Sequence, residues 1–391
     1  MPRPPRATRF ILIAVLLAAG WLAARAVVGP ERTGADAGAD NENGAADSVP
    51  HARPAKTLPD SVSAPAIVAA DDLETRFLLA AAQADLSSMA VPFAAVTQAD
   101  SPLVRELSTG FEARFINRSE PLSPATGQAF IDGLVAIFRR YWTEALVNPG
   151  DAPRAAARLD SALTALLASH DAGQGAAPRD PADAYARVRA TVRNAGYGIS
   201  LSSGAPLHDL VVWKDETRKH YRVDLTDSTE TVEVVFVDGL VSQGWRHFAS
   251  MGLNATSGWT SGDVLYCVRW SYDPATEPFR VSYLKHEARH FADFRRYPEL
   301  DDTTMEYRAK LTELAYANRT ASRLLQRFTS ERSAAGASAH ARANDRVAQD
   351  MYREVFGQSL PEHLDAWSVV GPERINPAAR RLLQRSTALL P

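Results

Sequence analysis

An α+β fold is predicted for this chain: a mostly helical N-terminal region, a small antiparallel sheet, then helices again. Apolar residues recur at helical spacing through the first half, as in Phe130, Leu134, Phe138 and Tyr141. Near Leu207 the pattern changes to alternating or β-branched runs, LVVWK, HYRVDL and VEVVFVDG. Beyond Glu277 helical spacing returns. Helices and strands are therefore segregated along the chain rather than alternating, which is the α+β order.

The first 64 residues hold two segments of different character. MPRPPRATR carries four positive charges, counting the free amine, and the apolar run FILIAVLLAAGWLAA follows. Residues 1–29 are read as a signal anchor, about twenty residues being enough to span a bilayer. Ala24-Arg25-Ala26 is a weak cleavage site, so a cleaved signal peptide is the alternative. The positive flank places the rest of the chain outside the cytoplasm, at a bacterial inner membrane. Frequent Arg and Ala fit a bacterial source. Residues 30–64 are rich in Gly, Ala, Asp and Pro and bury too little apolar surface to order themselves, so a disordered linker is expected.

The helical region is placed at 65–200. Leu73, Phe77 and Ala81 mark its first helix, and others are expected over 124–148, 152–169 and 182–194, the last closing at Gly196. Residues 201–391 form the second expected domain. DETRK and TDSTE are read as turns between strands, and DVLYCVRWSY as a further strand closed by Asp273-Pro274. A long helix runs from Glu277-Pro278 to Tyr297, because Pro298 disfavours helical geometry in its predecessor. Another is expected from Thr303 to about Phe328. The last resumes through Val347, Met351, Tyr352 and Val355.

Composition removes some functions. The chain has 391 residues, 46% of them hydrophobic, and a net charge of −3, which leaves no footprint for nucleic acid. Its one cysteine, Cys267, excludes an internal disulfide and a cysteine-based metal cluster. In the apolar run VLYCVRW that thiol is expected to be buried and inert.

Chemistry concentrates in LKHEARHFADF, where His286-Glu287-Ala288-Arg289-His290 sets two histidines four apart. On a helix they share one face and two imidazoles can converge on one metal ion. Glu287 projects about 100° round from His286, within reach of a water at that metal. A polar, solvated helix face would spell the same letters, and chance produces the pattern about once in a hundred such chains. Five further histidines (His170, His208, His220, His247 and His363) lack ligand spacing, and most are expected on the surface.

With a strand just upstream, HEARH resembles the zincin metallopeptidases, in which an edge strand beside the active-site helix holds the substrate. The resemblance covers about sixty residues and implies zinc held by His286 and His290, with Glu287 as general base. The metzincin continuation is excluded by Arg296. The gluzincins take their third ligand from a glutamate on the next helix, and Glu306-Tyr307-Arg308-Ala309 fits that pattern until Lys310 replaces the family's aspartate. Glu306 is the expected third ligand and Glu313 the alternative. The plainer reading is a capping box, Thr303-x-x-Glu306. Asp293 could orient a ligand histidine from behind. For the oxyanion donor such enzymes need, Tyr316 and His340 are the candidates, ordinary packing and a solvated surface being their plainer readings.

The resulting expectation is a zinc-dependent peptidase acting on peptides or proteins of the cell envelope. Its rivals are a non-catalytic envelope binding protein with a gluzincin-like zinc fold, and a scaffold in which HEARH is fortuitous. Whether the region 65–200 covers the site as a lid is open from sequence.

Overall fold

The computed structural model describes residues 73–171, 176–204, 206–332, 338–361 and 366–390. The expected anchor (1–29) and linker (30–64) lie outside the described residues. Among those described, no helix is long and apolar enough to cross a membrane.

The helical region holds α1 (Leu73–Ala82), α2 (Ala90–Ala94), α3 (Pro102–Phe111), α4 (Ala129–Val147), α5 (Ala152–His170) and α6 (Pro181–Asn194), with a π-helical turn, Glu112–Ile116, after α3. Side chains start several of them: Ser101 Oγ accepts from Val104 N at 3.2 Å and Asp180 Oδ1 from Asp183 N at 2.8 Å, each followed by proline at the first position. The core of this region does not stop at residue 200. Phe77, Phe111, Leu134, Phe138 and Trp142 pack in one cluster with Ile199, Leu210, Val212, Trp245 and Phe248.

Five strands follow: β1 (Gly198–Ser202), β2 (Asp209–Asp224) and β3 (Thr229–Gln243), then, after the short helix α7 (Gly244–Ala249), β4 (Gly258–Ser261) and β5 (Val264–Val268). Their order is β1-β2-β3-β5-β4. The expected small antiparallel sheet is corrected to a mixed one, because β5 lies parallel to β3, Val234 opposite Leu265 and Phe236 opposite Cys267. DETRK is not a turn but the middle of β2, pairing Glu216 with Val237 and Arg218 with Val235. It misleads because β1 covers β2 only as far as Trp213. Beyond that point β2 is an edge, and Lys214 to His220 are exposed, the charge run that keeps an edge from pairing with another chain. Successive residues of β3 face opposite sides. Val232, Val234 and Phe236 meet Phe279, Tyr283 and Leu284, while Val235 and Val237 meet Trp213 and Trp259. Cys267 is fully buried, and burial pushes its thiol up to about 12, so it is inert at neutral pH.

The remaining helices are α8 (His286–Arg296), α9 (Asp302–Tyr316), α10 (Ala321–Ser330), α11 (Ala339–Phe356) and α12 (Pro372–Ala388). The turn Pro278–Lys285 leading into α8 is π-helical. The expected helix 303–328 is broken at Ala317–Thr320, where Glu277 accepts from Asn318 N (2.7 Å), Arg319 N (3.0 Å) and Thr320 N (3.0 Å). A carboxylate facing three free N–H groups starts a second helix, α10. The sequence reading passed over α12, whose internal Pro377 reads as a helix breaker. At this sixth position proline removes the backbone N–H that would reach Glu373 O, so the helix runs on with one ladder bond missing.

Two stability tests follow from this packing. Gly198 lies opposite Trp213, and a Cβ there would sit 1.9 Å from the indole. Gly198→Ala is expected to cost about 1–3 kcal/mol, and an unchanged urea midpoint would show that the indole is free to move. His247, half-buried rather than on the surface, is pushed down to about 4 by burial, with Arg114 and Arg139 adding to it. The unfolded chain therefore takes up this proton first, and stability falls as pH drops from about 6.5 towards 4. Thermal unfolding of His247→Gln should show a shallower loss over that window than the wild type.

Candidate metal centre

On α8, His286 and His290 lie one turn apart, their Nε2 atoms 3.1 Å from each other. Helix α9 runs alongside and brings Glu306 to both, Oε1 at 3.3 Å from His290 Nε2 and Oε2 at 3.7 Å from His286 Nε2. All three residues are buried, and they form the cluster of metal-ligating type found among the described residues. A zinc site with arms of about 2.0–2.2 Å, tetrahedrally arranged, separates its ligand atoms by about 3.3–3.6 Å. The two imidazole nitrogens and the two oxygens of Glu306 that approach them stand 3.1–3.7 Å apart, close enough for one oxygen to join both nitrogens around such an ion.

Glu313 is placed behind this cluster. Its Oε1 lies 2.8 Å from His286 Nδ1, so that nitrogen donates and the Nε2 lone pair is left facing His290 and Glu306. The two glutamates that the sequence left as alternatives therefore stand on opposite sides of the imidazole. The capping box is not formed: Asp301 Oδ1 caps α9 by accepting from Thr304 N at 3.0 Å. Glu306 Oε2, Glu313 Oε2 and His290 Nδ1 are buried without a hydrogen bond among the described residues. His340 Nδ1 stands 2.9 Å from Glu306 Oε2. Such orphaned atoms are costly unless a further group completes them.

Charge is arranged to match. Burial alone would push the Glu306 carboxyl up, yet His290 beside it holds it far below the carboxylate range. Burial likewise opposes the His290 cation, and Glu306 nevertheless holds its pKa above the usual imidazole value. Glu313 is also lowered: burial pushes it up, but His286, Arg327 and Lys310 together outweigh that. Lys310 does not brace a histidine as the family's aspartate would. Its ammonium stands 3.8 Å from Glu306 Oε2 and 4.9 Å over the Phe328 ring.

Glu287 is 2% exposed and accepts from Thr260 Oγ1 of β4 at 3.1 Å. β4 is the last strand of the sheet, so its outer edge is unpaired among the described residues, and it adjoins the helix that carries the histidines. His340, in the first turn of α11, keeps about a third of its side chain exposed. Tyr316 is not brought to the cluster: the Lys285 ammonium lies 3.8 Å over its ring and Arg380 packs beside it. Asp293 does not orient a histidine either. It pairs with Arg308 at 2.7 and 3.0 Å and with Arg289 at 3.4 Å.

That ion cluster is the part the motif conceals. Arg289, inside HEARH and 1% exposed, also reaches Asp227 and, at 3.2 Å, Thr312 Oγ1. Arg308, fully buried, extends to Thr387 Oγ1 of α12 at 2.9 Å. α12 further caps the end of α9: Asn376 donates to Leu314 O (2.6 Å) and Ala317 O (2.8 Å), and Arg380 to Ala315 O (2.9 Å). Only the i,i+4 spacing of Arg289 and Asp293 was available from sequence to hint at it. Among the described residues, the centre's hydrogen bonds and ion pairs run within 226–387, and none reaches the helical region 73–194.

Comparison of the chain with protein-family models, with curated proteins and with solved structures found no match. The residues and their geometry therefore carry the functional reading.

Removing Arg308 leaves Asp293 buried with a weaker partner. Arg308→Met is expected to destabilise the chain by about 3–5 kcal/mol, read from chemical unfolding. A loss under about 1 kcal/mol would mean that this pair does not hold α9 to α8.

Proposed function

We propose that this chain is a zinc-dependent peptidase, with His286, His290 and Glu306 as the metal ligands. The observation that carries the reading is the convergence of two imidazole nitrogens and one carboxylate in a buried space, with Glu313 setting the tautomer of one imidazole. Zinc, when bound, supplies a Lewis acid for the substrate carbonyl and brings the pKa of a coordinated water down to about 7.

The chain's own residues divide the remaining work. Glu287 takes a proton from the attacking water and passes it to the leaving amine nitrogen. Thr260 holds that carboxylate by its hydrogen bond at 3.1 Å. The free edge of β4 accepts an extended peptide through main-chain hydrogen bonds, which fixes the backbone and leaves side-chain preference to neighbouring pockets. His340, half-exposed and 2.9 Å from Glu306 Oε2, is the donor placed to steady an oxyanion. Tyr316, packed against Lys285, is dropped from that role. An N-terminal anchor over residues 1–29 would set this activity in the cell envelope, with envelope peptides or proteins as substrates.

A non-catalytic metal-holding module is the second reading. It is favoured by His340 and Lys310, which both crowd Glu306 Oε2, at 2.9 and 3.8 Å, and would compete with a substrate for space beside a metal held there.

Elemental analysis of the dialysed full chain should give one zinc per chain, lost in His290→Ala and in Glu306→Ala. Glu287→Gln should keep the metal and lose turnover by at least about 100-fold. Absence of zinc after reconstitution removes both readings. Zinc retained with no turnover of any peptide library by the wild type selects the second. Zinc retained by Glu306→Ala but lost by Glu313→Ala would exchange the two glutamates.

A further inference from the structure

A second site is indicated on the helical half, on elements that contribute nothing to the histidine centre. There a cavity of about 230 Å³ lies between α4, α7 and the loop that follows the π-helical turn after α3. Its apolar lining comes from Phe248, Pro121 and Leu122. Three arginines line it as well, Arg114, Arg118 and Arg140, together with Glu120 and Glu144.

The pairing of these charges is unequal. Glu120 is fully engaged by Arg114, at 2.6 Å to Nε and 2.9 Å to Nη2, while Arg114 lies 4.6 Å over the Phe248 ring. Glu144 is taken from outside the cavity by Arg158 at 2.9 Å. Arg118 and Arg140 are left, and among the described residues neither side chain makes a hydrogen bond or an ion pair. The local field is positive in a chain whose net charge is −3. Arg114 and Arg139 both act to depress the nearby His247.

The walls are also held in place before any ligand arrives. Arg139 Nη1 donates to Leu122 O at 3.1 Å, and Ser119 N to Ala113 O at 2.8 Å, tying the loop to α4 and to the π turn. Two unpaired guanidinium forks over an apolar lining match a ligand with an oxyanion at one end and an apolar body at the other. The volume is below the range of about 300–1,000 Å³ typical of drug-sized ligands, so the occupant is small.

We propose that this cavity binds a small organic oxyanion, a carboxylate or a phosphate monoester on an apolar body, through Arg118 and Arg140. The site is independent of the metal centre, and binding persists in the presence of a chelator. The test is calorimetric titration of the full chain, at about 0.15 M salt, with benzoate, phenyl phosphate and inorganic phosphate, beside the double variant Arg118→Gln/Arg140→Gln. Both residues are exposed and without partners, so the variant should keep the wild-type melting temperature.

Saturable binding of benzoate or phenyl phosphate is expected, weakened at least about tenfold in the variant, with inorganic phosphate weaker than phenyl phosphate. The tighter of the two organic probes identifies the oxyanion. Wild type and variant binding alike, or no saturable heat with either organic probe, would overturn the proposal. Inorganic phosphate binding as tightly as phenyl phosphate would overturn it too, since the apolar lining would then contribute nothing.

Discussion

The centre depends on two carboxylate bridges between α8 and α9: Glu313 to His286 and Asp293 to Arg308. Partner numbers fall along α9 as they rise along α8, from 286 with 313, through 289 with 312, to 293 with 308. The two helices are therefore antiparallel, and each bridge lies one to two turns from the next. Bridges at both ends of the contact fix its register, and the register puts Glu306 against the histidines. A shift of one turn, about 5.4 Å, would part the three ligand atoms altogether.

So many buried charges are tolerated only because each finds an opposite one. A carboxylate taken from water without a partner is costly by several kcal/mol. Here Glu306 has His290, His340 and Lys310 around it, Glu313 has His286 and Arg327, and Asp293 has Arg289 and Arg308. Stability comes from the apolar layers on either side. Leu284, Ala288 and Phe291 face the sheet, while Tyr307, Leu311 and Leu314 face the C-terminal helices. The polar layer between them determines which residues meet rather than how tightly the chain folds.

The mixed sheet has a consequence for the same place. Because β5 joins β3 in parallel, the short hairpin that precedes it leaves β4 outermost, with Thr260 facing Glu287. A wholly antiparallel meander would put the next strand in sequence beside β3, and a different residue beside that carboxylate. At the other end, the carboxylate of Glu277 both starts α10 and ties it to the π-helical entry of α8. The segment carrying the histidines is thus anchored at its entry by a backbone cap and along its length by ion pairs.

The sequence alone determined what local periodicity and residue type can carry. The helices over 129–147, 152–170 and 181–194, the strand run of β3, and the two histidines on one helical face were all legible, because a helix or strand declares itself within a dozen residues. Glu306 was expected ahead of Glu313, but the seat of Glu313 behind His286 was not legible. Nor were the packing of Tyr316 against Lys285, the approach of His340 to Glu306, the edge nature of DETRK, or the clamp made by α12 through Arg308, Asn376 and Arg380. Each of these rests on pairs separated by roughly twenty to eighty residues. Nothing in the spacing of one segment encodes which distant segment will pack against it, and only the closed tertiary structure decides that.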